Sequence, residues 1–300
     1  MTSARRTTAT DPAPIQIGPN TFEWGGRTYV MGILNVTPDS FSGDGLLVGG
    51  DAVAAAVQVA RRMVEEGADL LDVGGESTRP GHAPVGASEE IDRVVPVVAA
   101  LAAALPDTPL SVDTSKPAVA EAALAAGAHL LNDVWGTGPD ADAMAAVAAD
   151  ARVPLVVMHN RAEPRYERDV VGEVLADLDA ALDRAIAAGV AEANLIVDPG
   201  IGFGKTADHN VTLLCHLGAL STLGRPVLLG TSRKSTLGRI LDLPVEERLE
   251  ATLATTALGI AAGADIIRVH DVRPNVRAAR VSDAIVRGHW RAHEPDEAAP

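Results

Sequence analysis

Val30-Met31-Gly32-Ile33-Leu34-Asn35-Val36-Thr37-Pro38-Asp39-Ser40-Phe41-Ser42 is the stretch on which the fold turns. A short apolar run bounded by turn residues reads as a parallel strand buried on both faces. It stops at the amide of Asn35, and Thr37, Pro38, Asp39 and Ser40 then supply an oxygen-rich turn carrying one aromatic, Phe41.

The arrangement recurs along the chain. The pattern predicts strands at Tyr29–Leu34, Leu70–Val73, Leu110–Val112, Leu130–Asn132, Leu155–Met158, Leu195–Val197, Val227–Leu229 and Ile266–Val269. Alanine-rich helical patterns fall between them at Asp51–Glu66, Ser88–Ala104, Pro117–Ala126, Ala141–Ala149, Val171–Ala188, Asn210–Leu223, Glu246–Ala262 and Asn275–Arg287. Eight strands alternating with eight helices over about 250 residues predict a single-domain (β/α)8 TIM barrel, spanning 21–288. A doubly wound open sheet shares this alternation and is the alternative, because counting elements does not show closure. Thr21–Arg27, turning at Trp24-Gly25-Gly26, is expected as a small hairpin beneath the barrel, with disordered tails at 1–20 and 289–300.

Composition narrows the classes. With 300 residues, 47% of them hydrophobic, the chain can build a substantial core. A net charge of -15 opposes nucleic acid as a partner. No apolar run reaches the ~20 residues that span a bilayer, so no membrane association is expected. The first twenty residues carry Arg5 and Arg6 but no apolar segment of a secretory signal. Cys215 is the single cysteine, which suits a reducing cytoplasm and reads as a buried small hydrophobe rather than a nucleophile.

The polar residues gather where each predicted strand ends. After the second come Ser77, Thr78, Arg79 and Pro80; after the third Asp113; at the fourth Asn132; after the sixth Asp198; after the seventh Arg233, Lys234 and Ser235; at the eighth Arg268 and His270. The C-terminal ends of the strands are where a barrel builds its site. Helix capping accounts for Asp51, Ser115 and Asp271. It does not account for Arg79, Lys234, Arg268 or His270, since cations oppose the positive end of a helix dipole.

Two chemical sets emerge. Asp113, Asn132, Asp198 and Lys234 suit a flat, nitrogen-rich heterocycle, whose amidine-like edge gives two parallel N–H bonds to a carboxylate. Carboxylate–lysine ion pairing competes for any one of them, less so for all four together. Asn35, Thr78, Arg79, Arg268 and His270 resemble an anion clamp fit for a diphosphate, with the Asn35 oxygen a ligand for a magnesium ion that keeps most of its waters. Gly200-Ile201-Gly202-Phe203-Gly204-Lys205-Thr206 looks like a phosphate loop, but its first required glycine falls on Pro199, and it is read as a flexible loop presenting Phe203. His159, His209 and His216 lack companions at zinc-ligand spacing.

Taken in order from Asn35-Val36-Thr37-Pro38-Asp39-Ser40-Phe41-Ser42 through Asp72-Val73-Gly74-Gly75-Glu76-Ser77-Thr78-Arg79-Pro80-Gly81, Ser111-Val112-Asp113-Thr114, Leu131-Asn132-Asp133-Val134, Asp198-Pro199-Gly200-Ile201-Gly202-Phe203-Gly204-Lys205, Gly230-Thr231-Ser232-Arg233-Lys234-Ser235 and Arg268-Val269-His270-Asp271-Val272, these segments resemble the motif series of dihydropteroate synthases. The resemblance implies condensation of 6-hydroxymethyl-7,8-dihydropterin diphosphate with p-aminobenzoate to 7,8-dihydropteroate and diphosphate, in folate biosynthesis. It implies that Asp113, Asn132, Asp198 and Lys234 bind the pterin, with Met158 and Phe203 lining its pocket, and that Asn35 holds Mg2+. Arg79, Arg268 and His270 would contact the diphosphate, and Thr78, Pro80, Phe41 and Ser235 would grip p-aminobenzoate where the family meets sulfonamides. Asp113, Lys234, Arg268 and His270 are the expected catalytic group, and a homodimer is the family's usual state. One departure is Ser42-Gly43-Asp44-Gly45, which sets the loop aspartate one residue later than the family commonly has it. A methyltetrahydrofolate–corrinoid methyltransferase relative and a non-catalytic pterin-binding paralogue are the alternatives.

Overall fold

The computed structural model describes residues 12–37, 50–76 and 85–288. Among them the chain runs β1 (Ile15–Ile17), β2 (Asn20–Phe22), β3 (Tyr29–Asn35), α1 (Gly50–Glu65), β4 (Leu70–Gly74), α2 (Ala87–Ala104), β5 (Leu110–Thr114), α3 (Pro117–Ala125), β6 (Leu130–Asp133) and α4 (Ala141–Ala151). It continues with β7 (Leu155–Met158), α5 (Val170–Ala187), β8 (Leu195–Asp198), α6 (Ala207–Cys215), β9 (Leu228–Leu229), α7 (Ser235–Leu241), α8 (Leu249–Ala261), β10 (Ile266–Val269) and α9 (Val272–Val286).

Eight parallel strands lie in the order β8-β7-β6-β5-β4-β3-β10-β9. The ends meet through a parallel bridge between Val197 and Val227 and the Val197 N–H donating to Pro226 O at 3.0 Å, so the sheet is a barrel rather than an open doubly wound sheet. Both faces of the strands are covered, which is why they read as continuous apolar runs. Gly67, Gly127, Gly189 and Gly263 follow helices at φ of 103°, 113°, 103° and 102°, a conformation that stops a helix at little cost only without a Cβ.

Strand alternation sets the interior. Met31, Leu70, Leu130, Val156, Ile196, Leu228 and Ile266 belong to one buried cluster with Ile15, Ile17, Phe22, Trp24 and Tyr29, which plugs the bottom of the barrel. One pleat further along the same strands stand Ile33, Asp72, Asn132, Met158, Asp198, Gly230 and Arg268, pointing to the same side. β5 adds Ser111, in register with Asp72, and Asp113, in register with Asn132. The polar floor of the site is thus one layer above an apolar plug.

Several expectations need correction, among them the burial of Cys215, which stands exposed at the end of α6. The hairpin is Ile15–Phe22, turning at Gly18 and Pro19, not Thr21–Arg27, and Trp24 packs edge-on to Tyr29 with ring centroids 5.6 Å apart. Ile15 and Ile17 alternate with exposed Gln16, so residues 12–20 are no tail; 1–11 and 289–300 lie outside the described residues. A helix missing from the sequence reading, α7, follows β9; at seven residues it is too short to show an apolar period, and it ends at Asp242 with φ 54°. Asn210–Leu223 is two elements, α6 and a 3-10 stretch at Leu217–Leu223, with Thr206 and His209 forming a capping box at the start of α6.

Candidate active site

The mouth of the barrel is ionic and largely buried. Arg268, on β10, donates from Nε to Asp72 Oδ2 at 2.5 Å and from its second guanidinium nitrogen to Asp113 Oδ2. Asp72 Oδ2 also accepts from Asn132 Nδ2 at 2.9 Å. That bond turns the other edge of the amide outward, and Asn132 Oδ1 and Asp72 Oδ1 are buried without a partner among the described residues. A buried acceptor left open costs about 1–3 kcal/mol, so Asn132 Oδ1 is placed to take an N–H from a ligand.

Lys234 sits at the N-cap of α7 with its ammonium 3.9 Å from the centre of the Phe203 ring. The left-handed Arg233 before it, at φ 56°, is held by hydrogen bonds with three residues. Its guanidinium makes two bonds to Asp271, at 2.9 and 2.6 Å; its N–H donates to Thr252 Oγ1, and its carbonyl accepts from Arg248. Asp271, expected to cap α9, stands at the cap position but gives its carboxylate to Arg233 instead. Asp198 closes β8, with Oδ1 accepting from the Gly200 N–H at 2.7 Å. Ser232 Oγ meets both the N–H and Nδ1 of His270, at 3.1 and 3.0 Å, fixing that ring against the loop after β9.

Burial dominates the electrostatics. It raises Asp113 to about 7, against the pull of Arg268, and Asp198 to about 6, against the Gly200 N–H and Lys234. It lowers Lys234 to about 8, with repulsion from Arg268 acting the same way. Three carboxylates, Asp72, Asp113 and Asp198, thus face two cations, Lys234 and Arg268, with several of the group poised near neutrality. Such clustering of displaced pKa values is a property of reactive sites.

The structure therefore brings together Asp113, Asn132, Met158, Asp198, Phe203, Lys234 and Arg268, and sets Ser235 at the first position of α7 and His270 between β10 and α9. Asn35 ends β3 at the rim and is partly exposed. Phe41, Asp44, Thr78, Arg79 and Pro80 lie outside the described residues. Among the described residues no three His, Cys, Asp or Glu converge as a metal site, and Asn35 offers one hard amide oxygen at the rim. Magnesium, which keeps several waters, fits such a donor.

Two charged residues that the structure places in the hydrogen-bond network of the mouth have no role in the sequence analysis. Asp72 lies inside β4 rather than beyond it, and Lys205 was set aside with the failed phosphate loop. The β8–α6 loop, read as flexible, is tied by hydrogen bonds from Lys205 to Gly200 O and from Tyr166 to Gly204 O, and from the Gly202 N–H to Asn210 Oδ1.

Known proteins match this site and its scaffold. Residues 31–270 match the pterin binding enzyme family. The chain is 50% identical over 274 residues to the dihydropteroate synthase of Clostridium beijerinckii, covering 91% of this chain and 100% of that one. Among solved structures, dihydropteroate synthase from Clostridium difficile, determined in the presence of pteroic acid, superposes with a TM-score of 0.85 at 47% identity, covering 89% of this chain and 99% of that one. The Xanthomonas albilineans enzyme with 4-aminobenzoic acid superposes with a TM-score of 0.84 at 44% identity, covering 92% and 98%. Sequence, barrel and buried ionic floor agree, and the chain belongs to the dihydropteroate synthase family of pterin-binding enzymes.

Proposed function

We propose that this chain condenses 6-hydroxymethyl-7,8-dihydropterin diphosphate with p-aminobenzoate, releasing diphosphate and 7,8-dihydropteroate for folate biosynthesis. The observation that carries the reading is the convergence of Asp113, Asn132, Asp198 and Lys234 around Arg268 in a barrel that closely matches structures of this family. Asp113 and Asp198 accept N–H bonds from the pterin, Asn132 Oδ1 accepts another, and Lys234 donates to a ring nitrogen or carbonyl while packing on Phe203. Met158 closes the pocket wall.

In the reaction the C–O bond of the pterin CH2 group breaks and the diphosphate takes its electron pair. The arylamine nitrogen then forms the C–N bond and gives up one proton. Arg268 and His270 meet the leaving oxygens, and the carboxylate of Asp113 favours positive charge developing on the ring. The arylamine is neutral at pH 7, so positioning and electrostatics suffice without a strong base. Mg2+ held by Asn35 would neutralise diphosphate charge. Thr78, Arg79, Pro80, Phe41 and Ser235 complete the proposed contacts to diphosphate and p-aminobenzoate.

The test mixes purified protein with both substrates and magnesium and follows dihydropteroate by mass spectrometry beside diphosphate release. Product that requires both substrates and is lost on chelation is expected; pterin binding without product would overturn the reading. The buried groups also fix a pH dependence. kcat/KM for the pterin substrate should rise as the carboxyl pair ionises, with Asp113 near 7 and Asp198 near 6, and fall as Lys234 loses its proton near 8. The limbs belong to the cluster rather than to single residues. A flat profile from pH 5 to 9 would remove these groups from the rate-determining chemistry.

A homodimer is proposed through the α7–α9 side. Leu258, Val281 and Ile285 are 70%, 61% and 78% exposed, and Arg280, Val281, Ala284 and Ile285 line a shallow groove of about 490 Å³. Leu258→Asp combined with Ile285→Asp should turn a dimeric mass in light scattering into a monomeric one; an unchanged mass would place the interface elsewhere. A cytoplasmic location accords with the single cysteine, and no described helix is long and apolar enough to cross a membrane.

A further inference from the structure

The glycine-rich exit of β8 is organised from behind by Lys205. Gly200, Gly202 and Gly204 have φ of 66°, 85° and 54°, so the segment has no regular ladder and its carbonyls need other donors. The loop is also pressed against the chain leaving β7. A Cβ on Gly200 would lie 1.8 Å from His159 O, and one on Gly204 2.3 Å from Arg161 O.

Lys205 Nζ fills the space between. It donates to Gly200 O at 3.0 Å, Phe203 O at 2.9 Å and His159 Nδ1 at 2.9 Å, with His159 O at 3.3 Å. Burial and the Lys205 charge hold the pKa of His159 down to about 4, so its ring is neutral. Its Nε2–H then donates to Asp177 Oδ2 at 3.1 Å, leaving Nδ1 to accept from Lys205. Asp177 is in turn gripped by Arg161, at 3.0 and 2.8 Å. The ammonium is therefore anchored to α5 through a chain of oriented groups. On the pocket side, the same loop carries the Phe203 ring under Lys234 and bonds Asp198 through Gly200 N–H.

We propose that Lys205 is a positioning residue, a tethered ammonium ion that ties Gly200 and Phe203 to the His159–Asp177 pair and thereby aims Asp198 and the Phe203 ring at the pterin. It touches no reacting atom. Desolvation pulls its own pKa down to about 7, so the carbonyl cage is complete below that pH and the assay belongs there. The kinetic readouts rest on the proposed pterin condensation; the loop readout does not.

The experiment uses full-length Lys205→Ala. The KM for dihydropterin diphosphate should rise by about tenfold or more while the KM for p-aminobenzoate stays within about twofold, the pattern expected when one charged hydrogen-bond hub behind a single subsite is lost. Backbone amides from Gly200 to Thr206 should exchange hydrogen faster than in the wild type. Ethylammonium, which carries N–H donors into the vacated cage, should restore pterin KM and protection; tetramethylammonium at equal ionic strength should not. Wild-type pterin KM with wild-type protection, or equal recovery with both salts, would overturn the proposal. Should Lys205→Ala not fold, Lys205→Gln is read by the same measurements. Absence of dihydropteroate with the wild type would sink the functional reading, and exchange in residues 200–206 would then decide the role of Lys205 alone.

Discussion

Arg268→Met is expected to take product formation below detection and to destabilise the barrel by about 3–5 kcal/mol, the range for removing one partner from a buried ion pair. Methionine fills the volume but supplies no donor. Asp72, fully buried, and Asp113, only 10% exposed, would each lose a charged hydrogen bond at once. The two effects are separable by pH. The folded-state pKa of Asp113 is raised from 3.8 to about 7, so its proton binds more tightly in the folded than in the unfolded chain. Its contribution to stability is therefore greatest in acid, declines as pH rises through that window, and is flat above it. Arg268 is the strongest influence opposing that rise, and without it the folded pKa moves higher and the decline runs further up the scale. Urea unfolding should accordingly show a larger deficit at pH 8.5 than at pH 5.5. An equal deficit at both values would mean that Asp113 is not the carboxylate Arg268 neutralises. Arg268→Lys should not rescue, because one ammonium cannot reach two carboxylates with the fixed fork of a guanidinium.

What was readable in the sequence follows from where each group sits in the pleat. The barrel was legible because each parallel strand is apolar on both faces and each βα unit ends in a turn or glycine, so eight repeats were visible without tertiary information. Asn132 and Asp198 were legible because a polar residue at the end of an apolar run has nowhere to face but the mouth, and Lys234 and Arg268 because a cation ahead of a helix is not explained by capping. Asp113 on β5 is the same case as Asn132 and Asp198. Asp72 was not, since it lies in the middle of Leu70–Gly74 with apolar Leu71 and Val73 on either side. Only the alternation of β4 against Leu70, a member of the bottom plug, shows that Asp72 points inward. Lys205 was hidden for a different reason: its partners are backbone carbonyls and a histidine 46 residues away, and no spacing rule reports that. The Ile15–Phe22 hairpin is three residues per strand, too short for alternation to stand out from a polar leader.

Asp72→Asn should lower kcat/KM by about a hundredfold or more, the combined effect of weakening two charge-assisted hydrogen bonds worth ~1.5–3 kcal/mol each. In the wild type a single oxygen, Oδ2, receives Arg268 Nε and Asn132 Nδ2 together, which fixes the guanidinium and the amide relative to each other. An asparagine has one carbonyl oxygen and one NH2 group. With its oxygen where Oδ2 stands it still accepts from Arg268 and Asn132, but as a neutral acceptor, and its NH2 takes the place of the buried, unpartnered Oδ1, so both bonds weaken and the Asn132 amide is held less firmly. Asn132 belongs to the proposed pterin subsite, so the pterin KM should climb far more than that for p-aminobenzoate. A cycle with Arg268→Met separates positioning from simple burial. If Asp72 acts on the reaction through Arg268, the double variant should be little worse than Arg268→Met alone, since neighbours in one network are not additive. Additive losses would instead assign Asp72 an effect of its own through Asn132. Normal kinetics in the single variant would leave Asp72 a buried carboxylate with no hold on the chemistry, and the ionic floor would then have to be divided at β4, with Asp113 alone governing Arg268.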